Sequence, residues 1–306
     1  MDGIDFAIEA TWLTDVGRKR DHNEDYVLGY EPANLDVLKA DGRLYIVADG
    51  VGGEAAGEVA SEYAVKKLLH DYYQSQEADL GERLQVALIN ANADLFSYTE
   101  DHPEVGRMGT TLVVAAIRGQ ELVIANVGDS RAYLLREDEI RQITQDHSLV
   151  ARLVAEGELS PEEAAAHPRR NVLLRCLGME AEVYPDIFQG IVCPDDRLVL
   201  CSDGLTNYLS IVELGEIVSA PPLDAAARRL VQLANARGGK DNISVLLLHI
   251  TEVDFESTDS AARTSDIPAA PEFDIITDVA RQRQTHAPHL PRWRCWLRQN
   301  LKRLLR

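Results

Sequence analysis

The chain contains little of what marks several large classes of protein. Only four of its 306 residues are cysteines, and they form no CxxC pair. This spacing argues against a disulfide framework or a zinc site and favours a reducing compartment. No apolar run reaches the roughly 18 residues that a membrane span needs, and the N-terminus lacks the regions of a secretory signal. We therefore expect a cytoplasmic protein.

Basic residues are also scarce over most of the chain. There are 31 Lys and Arg against 50 Asp and Glu, which gives a net charge of -19. A surface of this charge argues against nucleic acid as a partner, because phosphate backbones are bound by basic surfaces. An anionic substrate would need local positive charge at its site.

The residues that are present predict a globular α+β domain. Apolar runs with strand character occur at FAIEATWL, RLYIVAD, TTLVVAAIR, ELVIANVG, RAYLLRE, DRLVLCSD and NISVLLLHI. Helical patterns lie between some of them, at 54–74, 80–98, 148–157, 211–219 and 223–236. Strands grouped in hairpins, with helices inserted in pairs, favour mostly antiparallel sheets over a doubly wound parallel fold. This pattern covers residues 1–250.

Two further segments follow the predicted domain. Residues 251–290 are rich in Ser, Thr, Asp, Ala and Pro, which is typical of a flexible linker. Residues 291–306 carry six basic groups and no acid, and their Trp and Leu residues occupy one half of a helical wheel. This basic amphipathic helix suits an anionic membrane surface; docking on an acidic protein surface and a solvated tail are the alternatives.

Several carboxylates occur at the ends of predicted strands. Asp49 and Asp203 each precede a glycine after an apolar run, Asp129 follows Gly128, and Asp241 precedes the last strand. Each alone is typical of a turn, which is how we interpret Asp41-Gly42. Together, converging strand ends predict an all-oxygen site for Mg²⁺ or Mn²⁺, and the composition alone does not decide between turn and metal site.

The context of these acids resembles a known family. The segments RKRDHNEDYV, LYIVADGVGGEAAGEVAS, GTTLVVAAI, IANVGDSRAYLL, QITQDHS, LVLCSDGLTN and GGKDNISVLLL occur in the order found in metal-dependent type 2C serine/threonine protein phosphatases, particularly the bacterial branch. The resemblance spans residues 6 to about 250. It implies a central antiparallel β-sandwich flanked by helix pairs, in four layers α-β-β-α, with two metal ions at one end.

The resemblance also implies roles for particular residues. Asp49 would bridge the two metals, the Gly50 carbonyl and Glu24 would complete the second site, and Asp203 and Asp241 the first. Asp25 would hold metal-bound water, with Asn242 supporting, and Asp129 would contribute to a weak third site. Arg20 would bind the substrate phosphate, and its planar fork suits two phosphate oxygens. A water or hydroxide bridging two cations is a nucleophile at neutral pH, so no protein nucleophile is needed.

We thus expect a Mg²⁺- or Mn²⁺-dependent phosphatase acting, as a monomer, on phosphoserine and phosphothreonine proteins, implied substrates of a Ser/Thr kinase. The alternatives are a catalytically inactive binding module and a stress-response enzyme with one phosphoprotein substrate. The intact acids and Arg20 argue against the inactive module. Some relatives place histidine at the positions of Val51 or Glu54, so protonation of the leaving group has no assigned residue. Residues 145–170 resemble the mobile flap of bacterial members, and we expect a local structural role for His147.

Overall fold

The computed structural model describes residues 6–52, 56–103 and 106–252, and in these ranges the strands form two antiparallel sheets. The first sheet has the order β1 (Phe6–Asp15), β11 (Ile243–Glu252), β10 (Arg197–Cys201), β7 (Arg131–Arg136), β8 (Glu139–Gln142). The second has the order β2 (Asp25–Tyr30), β3 (Arg43–Val51), β5 (Leu112–Arg118), β6 (Glu121–Val127), β9 (Asp186–Ile191). The two-residue strand β4 (Gly109–Thr110) pairs with the end of β3.

The two sheets pack face to face and bury the central core. Val47 and Ile117 from the second sheet meet Leu200 and Leu246 from the first, and all four side chains are fully buried. β3 and β5 are buried on both faces, because helices cover the side that does not face the other sheet. This explains why both strands read as nearly continuous apolar runs instead of alternating.

Helix pairs form the two outer layers. The helices α2 (Ala56–Gln74) and α3 (Leu80–Asp101) pack on the second sheet, and α7 (Ile211–Val218) and α8 (Leu223–Ala236) pack on the first. Their starts follow from the sequence: the Asp79 carboxylate accepts a hydrogen bond from Glu82 N (2.9 Å), and Ser210 begins α7 with a capping box. The predicted α+β sandwich with four layers α-β-β-α is confirmed.

The short elements were harder to predict. The sequence pattern did not indicate α1 (Leu35–Asp41), α5 (Pro161–Ala166), α6 (Asp203–Thr206) or the strands β2, β4, β8 and β9. The predicted turn at Asp41-Gly42 is also the end of α1, where Gly42 has φ 76°. The helix α4 (Leu149–Ala155) lies within the pattern at 148–157 and packs against α5. Elements this short bury few residues, so they leave no periodic signal.

The predicted linker at 251–290 and the predicted helix at 291–306 lie almost entirely outside the described residues, which end at Glu252. Within the described ranges, no helix has the length and apolar character needed to cross a membrane.

Candidate active site

The predicted acids lie where strands of the two sheets end on the same side of the sandwich. Antiparallel pairing of β2 with β3 places Asp25 directly opposite Asp49. One residue, Ser202, separates Asp203 from the end of β10, and one residue, Asn242, separates Asp241 from the start of β11. The Ser202 hydroxyl joins the sheets by donating to Asp25 Oδ2 over 2.8 Å. Residues 177 positions apart along the chain thereby come together.

Asn242 connects the N-terminal loop to the segment that carries Asp241. Its Oδ1 accepts a hydrogen bond from Glu24 N (2.8 Å), and its Nδ2 donates to the carbonyls of Val16 (3.0 Å) and His22 (2.9 Å). The amide thus fills its acceptor and both donors with backbone partners. Asn242 thereby joins the N-terminal loop to the segment before β11, beside Glu24.

Two glycines allow the backbones around the acids to approach closely. A Cβ on Gly204 would stand 1.8 Å from the Asn242 carbonyl oxygen, and a Cβ on Gly50 would stand 2.2 Å from the Gly57 carbonyl oxygen. No side chain fits at either position without moving the backbone. The glycine after Asp203 therefore lets the α6 segment lie against the chain next to Asp241, and the glycine after Asp49 lets β3 lie against the start of α2.

The carboxylates share one electrostatic environment. Burial, followed by the charges of Asp203 and Asp241, raises the pKa of Asp25 to about 7, although the hydrogen bond from Ser202 opposes the rise. Burial and the neighbouring acids likewise raise the pKa of Asp129 to about 8 and of Asp203 to about 6. For Asp49, burial and four neighbouring acids hold the pKa well above its usual value. Such mutual repulsion in a buried place favours protons or cations as counter-charges.

The donor chemistry of this group fits a hard divalent cation. Glu24 Oε1 and Asp25 Oδ1 are buried and accept no hydrogen bond from the described residues. A buried carboxylate oxygen without a donor is costly, and Mg²⁺ and Mn²⁺ prefer such oxygens as ligands. In the described part of the chain, no three His, Cys, Asp or Glu side chains have the spacing of a ready-made metal site. The residues therefore fit a divalent cation through the chemical type of their donor atoms and through the buried oxygens that accept no hydrogen bond within the described ranges.

Arg20 lies at the exposed border of the acidic group. Its Nε contacts Asp241 Oδ1 and its Nη2 donates to Asp241 Oδ2, both over 2.9 Å, while Nη1 lies 4.0 Å from Glu24 Oε2. The hydrogen bonds that Arg20 donates to Asp241 raise the pKa of Arg20 above its already high value. A guanidinium has five N–H donors, and Asp241 engages one edge of it. The N–H groups of Nη1 and the second N–H of Nη2 remain for an anion.

Two threonines that the sequence analysis did not assign support Asp49. Thr111 Oγ1 accepts a hydrogen bond from Asp49 N (3.1 Å), and Thr111 N donates to the Asp49 carbonyl (2.8 Å). Thr110 Oγ1 donates to the same carbonyl over 2.9 Å. The motif GTTLVVAAI contained both residues, but nothing in it indicated a partner about 60 positions earlier. Ser202 was missed for the same reason.

Asp129 occupies the turn between β6 and β7 on the same side of the sandwich. It belongs to the group because its charge raises the pKa of Asp49, and the charge of Asp203 raises the pKa of Asp129. Asn207 donates from Nδ2 to Asp203 Oδ2 over 3.1 Å. It therefore contributes a donor to this acid and no additional charge.

Comparison with known proteins agrees with this geometry. Residues 13–153 match the family model described as Protein phosphatase 2C. The chain is 44% identical over 247 residues to the serine/threonine phosphatase stp of Listeria innocua, a match that covers 79% of this chain and 95% of the relative. It is 41% identical over 253 residues to protein phosphatase PhpP of Streptococcus pneumoniae, covering 81% and 100%.

Solved structures give the same result. The crystal structure of the Mycobacterium tuberculosis serine/threonine phosphatase PstP/Ppp aligns with a TM-score of 0.72 and 36% identity, covering 80% of this chain and 99% of that one. The catalytic domain of PstP in complex with two manganese ions aligns with a TM-score of 0.70 and 35% identity, covering 81% and 100%.

The sandwich and its acidic strand ends thus define a metal-dependent protein phosphatase. This chain belongs to the protein phosphatase 2C family, in its bacterial branch. It is a protein serine/threonine phosphatase that depends on Mg²⁺ or Mn²⁺, and its substrates are phosphorylated proteins. Nothing in the comparisons favours the inactive binding module.

Proposed function

We propose that the acids gathered at the strand ends bind the metal ions of this phosphatase. Asp49 would be shared by two ions, with Asp203 and Asp241 on one side and Glu24 and the Gly50 carbonyl on the other. Asp129 would contribute to a weak third site. The observation that carries the proposal is that the fold places Asp25 opposite Asp49 and ties the Asp203 segment to Asp25 through Ser202, while buried oxygens of Glu24 and Asp25 have no donor among the described residues. When bound, divalent ions activate water as a nucleophile and neutralise charge on the phosphoryl group.

The chain's own residues would position the reactants. Asp25 is fixed by Ser202 on one oxygen, which leaves its buried Oδ1 to accept a hydrogen bond from water. Asn242 fixes the backbone of Glu24, and the two threonines fix the backbone of Asp49. Preorganised groups of this kind lower the barrier because little rearrangement is needed when the reaction occurs.

We expect Arg20 to bind the substrate phosphate with the N–H groups that Asp241 leaves unused. Arg20→Ala should lower kcat/KM for a phosphothreonine peptide by about 10- to 100-fold, the range for charged hydrogen bonds. Arg20→Lys should lie between this variant and the wild type, because lysine keeps the charge without the planar fork. The inhibition constant of inorganic phosphate should rise in the same order.

Lys19→Ala is the matched control, since Lys19 is an exposed cation on the same loop. It should leave both constants near those of the wild type. Equal losses in Lys19→Ala and Arg20→Ala would mean that only the general charge of the loop matters, and the assignment of Arg20 would be wrong.

Residues 1–250 would form the catalytic domain, 251–290 a linker and 291–306 a basic helix, in a protein that acts in the cytoplasm as a monomer. Its phosphoprotein substrates would be products of a Ser/Thr kinase.

We propose further that the helix at residues 291–306 contacts anionic membranes. The support is its composition, with Trp293 and Trp296 among the apolar residues and six basic groups.

This membrane contact predicts that the full chain floats with vesicles that contain phosphatidylglycerol and stays in solution with phosphatidylcholine vesicles. A chain lacking residues 291–306 should not float with either. Substituting both tryptophans by alanine should weaken flotation while retaining the charge, because the apolar face is what enters the interface. Equal flotation of full and shortened chains would contradict the proposal.

A further inference from the structure

His147 is buried, and hydrogen bonds from three segments of the chain surround it. Its ring Nδ1 lies 3.1 Å from the amide nitrogen of Gly128, and its own backbone N–H donates to the Gly128 carbonyl over 2.9 Å. His147 thus contacts both polar backbone groups of Gly128. The next residue along the chain is Asp129.

The partners define the protonation of the ring. Because the Gly128 N–H donates to Nδ1, the proton of the neutral imidazole is on Nε2, where it donates to Asp186 Oδ2 over 3.1 Å. Arg175 Nη1 lies near the same ring nitrogen but donates to Asp186 Oδ1 (2.8 Å) and to the Tyr184 carbonyl (2.7 Å). Burial lowers the pKa of His147, in agreement with a neutral ring.

Gly128 is held between His147 and Thr111. It has φ 113°, and a Cβ there would stand 2.5 Å from the Thr111 Cβ. Thr111 is the residue that bonds the backbone of Asp49. The position of the Asp129 turn is therefore set from one side by a residue that supports Asp49 and from the other by His147.

His147 also connects this turn to the segment that follows α5. Its carbonyl accepts a hydrogen bond from Leu174 N over 2.7 Å, and Asp186, the acceptor for its ring, begins β9. Arg175 reaches the same carboxylate. A single side chain and its backbone thus connect the Asp129 turn, the residues after α5 and the edge strand of the second sheet.

We propose that His147 is a positioning residue for Asp129, acting through the bond between its Nδ1 and the Gly128 amide. It does not touch substrate, since both ring nitrogens are occupied by protein partners. The proposal rests on the proposed function in one respect, namely that Asp129 contributes to the weak ion site. Loss of the Nδ1 acceptor should let the turn move and weaken that site.

Two substitutions separate the two bonds of the ring. An asparagine Oδ1 can occupy the place of Nδ1, so His147→Asn keeps an acceptor for Gly128 and loses the bond to Asp186. A glutamine amide can reach the place of Nε2, so His147→Gln keeps the donor to Asp186 and loses the acceptor for Gly128. His70→Asn on α2 serves as the control. All variants are made in the full chain, with unfolding temperatures recorded.

Two measurements detect the loss of the bond between His147 and Gly128. The first is hydrogen exchange of the Gly128 amide; the second is Mn²⁺ binding, titrated by electron paramagnetic resonance of the free ion. His147→Gln should speed the exchange by about fivefold and weaken the most weakly bound Mn²⁺ by a similar factor, as expected for one lost hydrogen bond of about 1 kcal/mol. His147→Asn should resemble the wild type in both, even if its unfolding temperature falls further.

The outcomes distinguish this inference from the assignment of Asp129. If Gly128 exchange in His147→Gln equals that of the wild type, the positioning role is wrong. If both variants weaken Mn²⁺ equally and in proportion to stability, His147 has only a structural role and the inference is again wrong. If Asp129→Asn leaves the number of bound Mn²⁺ unchanged, the third-site assignment fails, and the Gly128 exchange still decides whether His147 holds the turn.

Discussion

Asp49→Asn is expected to lower kcat for a phosphothreonine peptide by at least about a thousandfold, a loss at the upper end for preorganised electrostatic groups. Asparagine has nearly the same shape, but it lacks the charge and places an NH₂ group where a cation would bind. The strand end should stay in place, because Thr110 and Thr111 bond the Asp49 backbone and make no bond to its side chain. The measurement is peptide hydrolysis at saturating Mn²⁺.

Asp49→Asn should not lower the unfolding temperature of the ion-free protein. Asp49 is buried among other carboxylates, so the substitution removes repulsion from the folded state. Asp195→Asn is the matched control, because its side chain is 93% exposed and its φ of 65° suits asparagine. Asp195 lies before β10, at the opposite end of that strand from Asp203. More than a tenth of wild-type activity in Asp49→Asn would contradict the assignment.

Much of the sandwich could be predicted from local sequence. Strands β3 and β5 are long apolar runs closed by polar residues, and α3 and α8 have clear helical periodicity. β9 was not predicted, because the segment Asp186–Ile191 contains an exposed glycine and few buried residues at the edge of its sheet. A strand at a sheet edge buries little, so its pattern is weak.

The acids of the site could be identified from the sequence only because several motifs that resemble one family occur together and in order. Asp41 and Asp49 both precede glycine, and local chemistry alone does not separate a helix end from a candidate metal ligand. Residues that act through long-range bonds had no local signal at all. Ser202 bonds Asp25 across 177 positions and Thr111 bonds Asp49 across 62, and only the fold shows these pairs.

The long-range partners of His147 could not be predicted from the sequence either. The motif QITQDHS led us to expect a local structural role, and the structure shows partners for its ring at Gly128 and Asp186, which lie on two different strand ends. A histidine's tautomer depends on both partners, and neither lies near it in sequence.

Removing divalent ions is expected to abolish turnover completely and reversibly. Glu24 and Asp25 each keep a buried oxygen without a hydrogen bond from the described residues, and the pKa values of Asp129 and Asp203 are raised because burial and neighbouring acids outweigh the nearby arginine charges. Ions that bind the folded chain also stabilise it, by about 2.7 kcal/mol at 100 times Kd. For a domain of this size that corresponds to a rise of about 5–10 °C in Tm.

The most direct test of the central claim is hydrolysis of a phosphothreonine peptide by the wild-type chain before and after treatment with a chelator. We expect hydrolysis to fall to the background rate, to return when Mn²⁺ or Mg²⁺ is added in excess, and Tm to follow the same course. Turnover that persists in the chelator, with no bound ion detectable in the treated protein, would contradict metal-dependent catalysis at these acids.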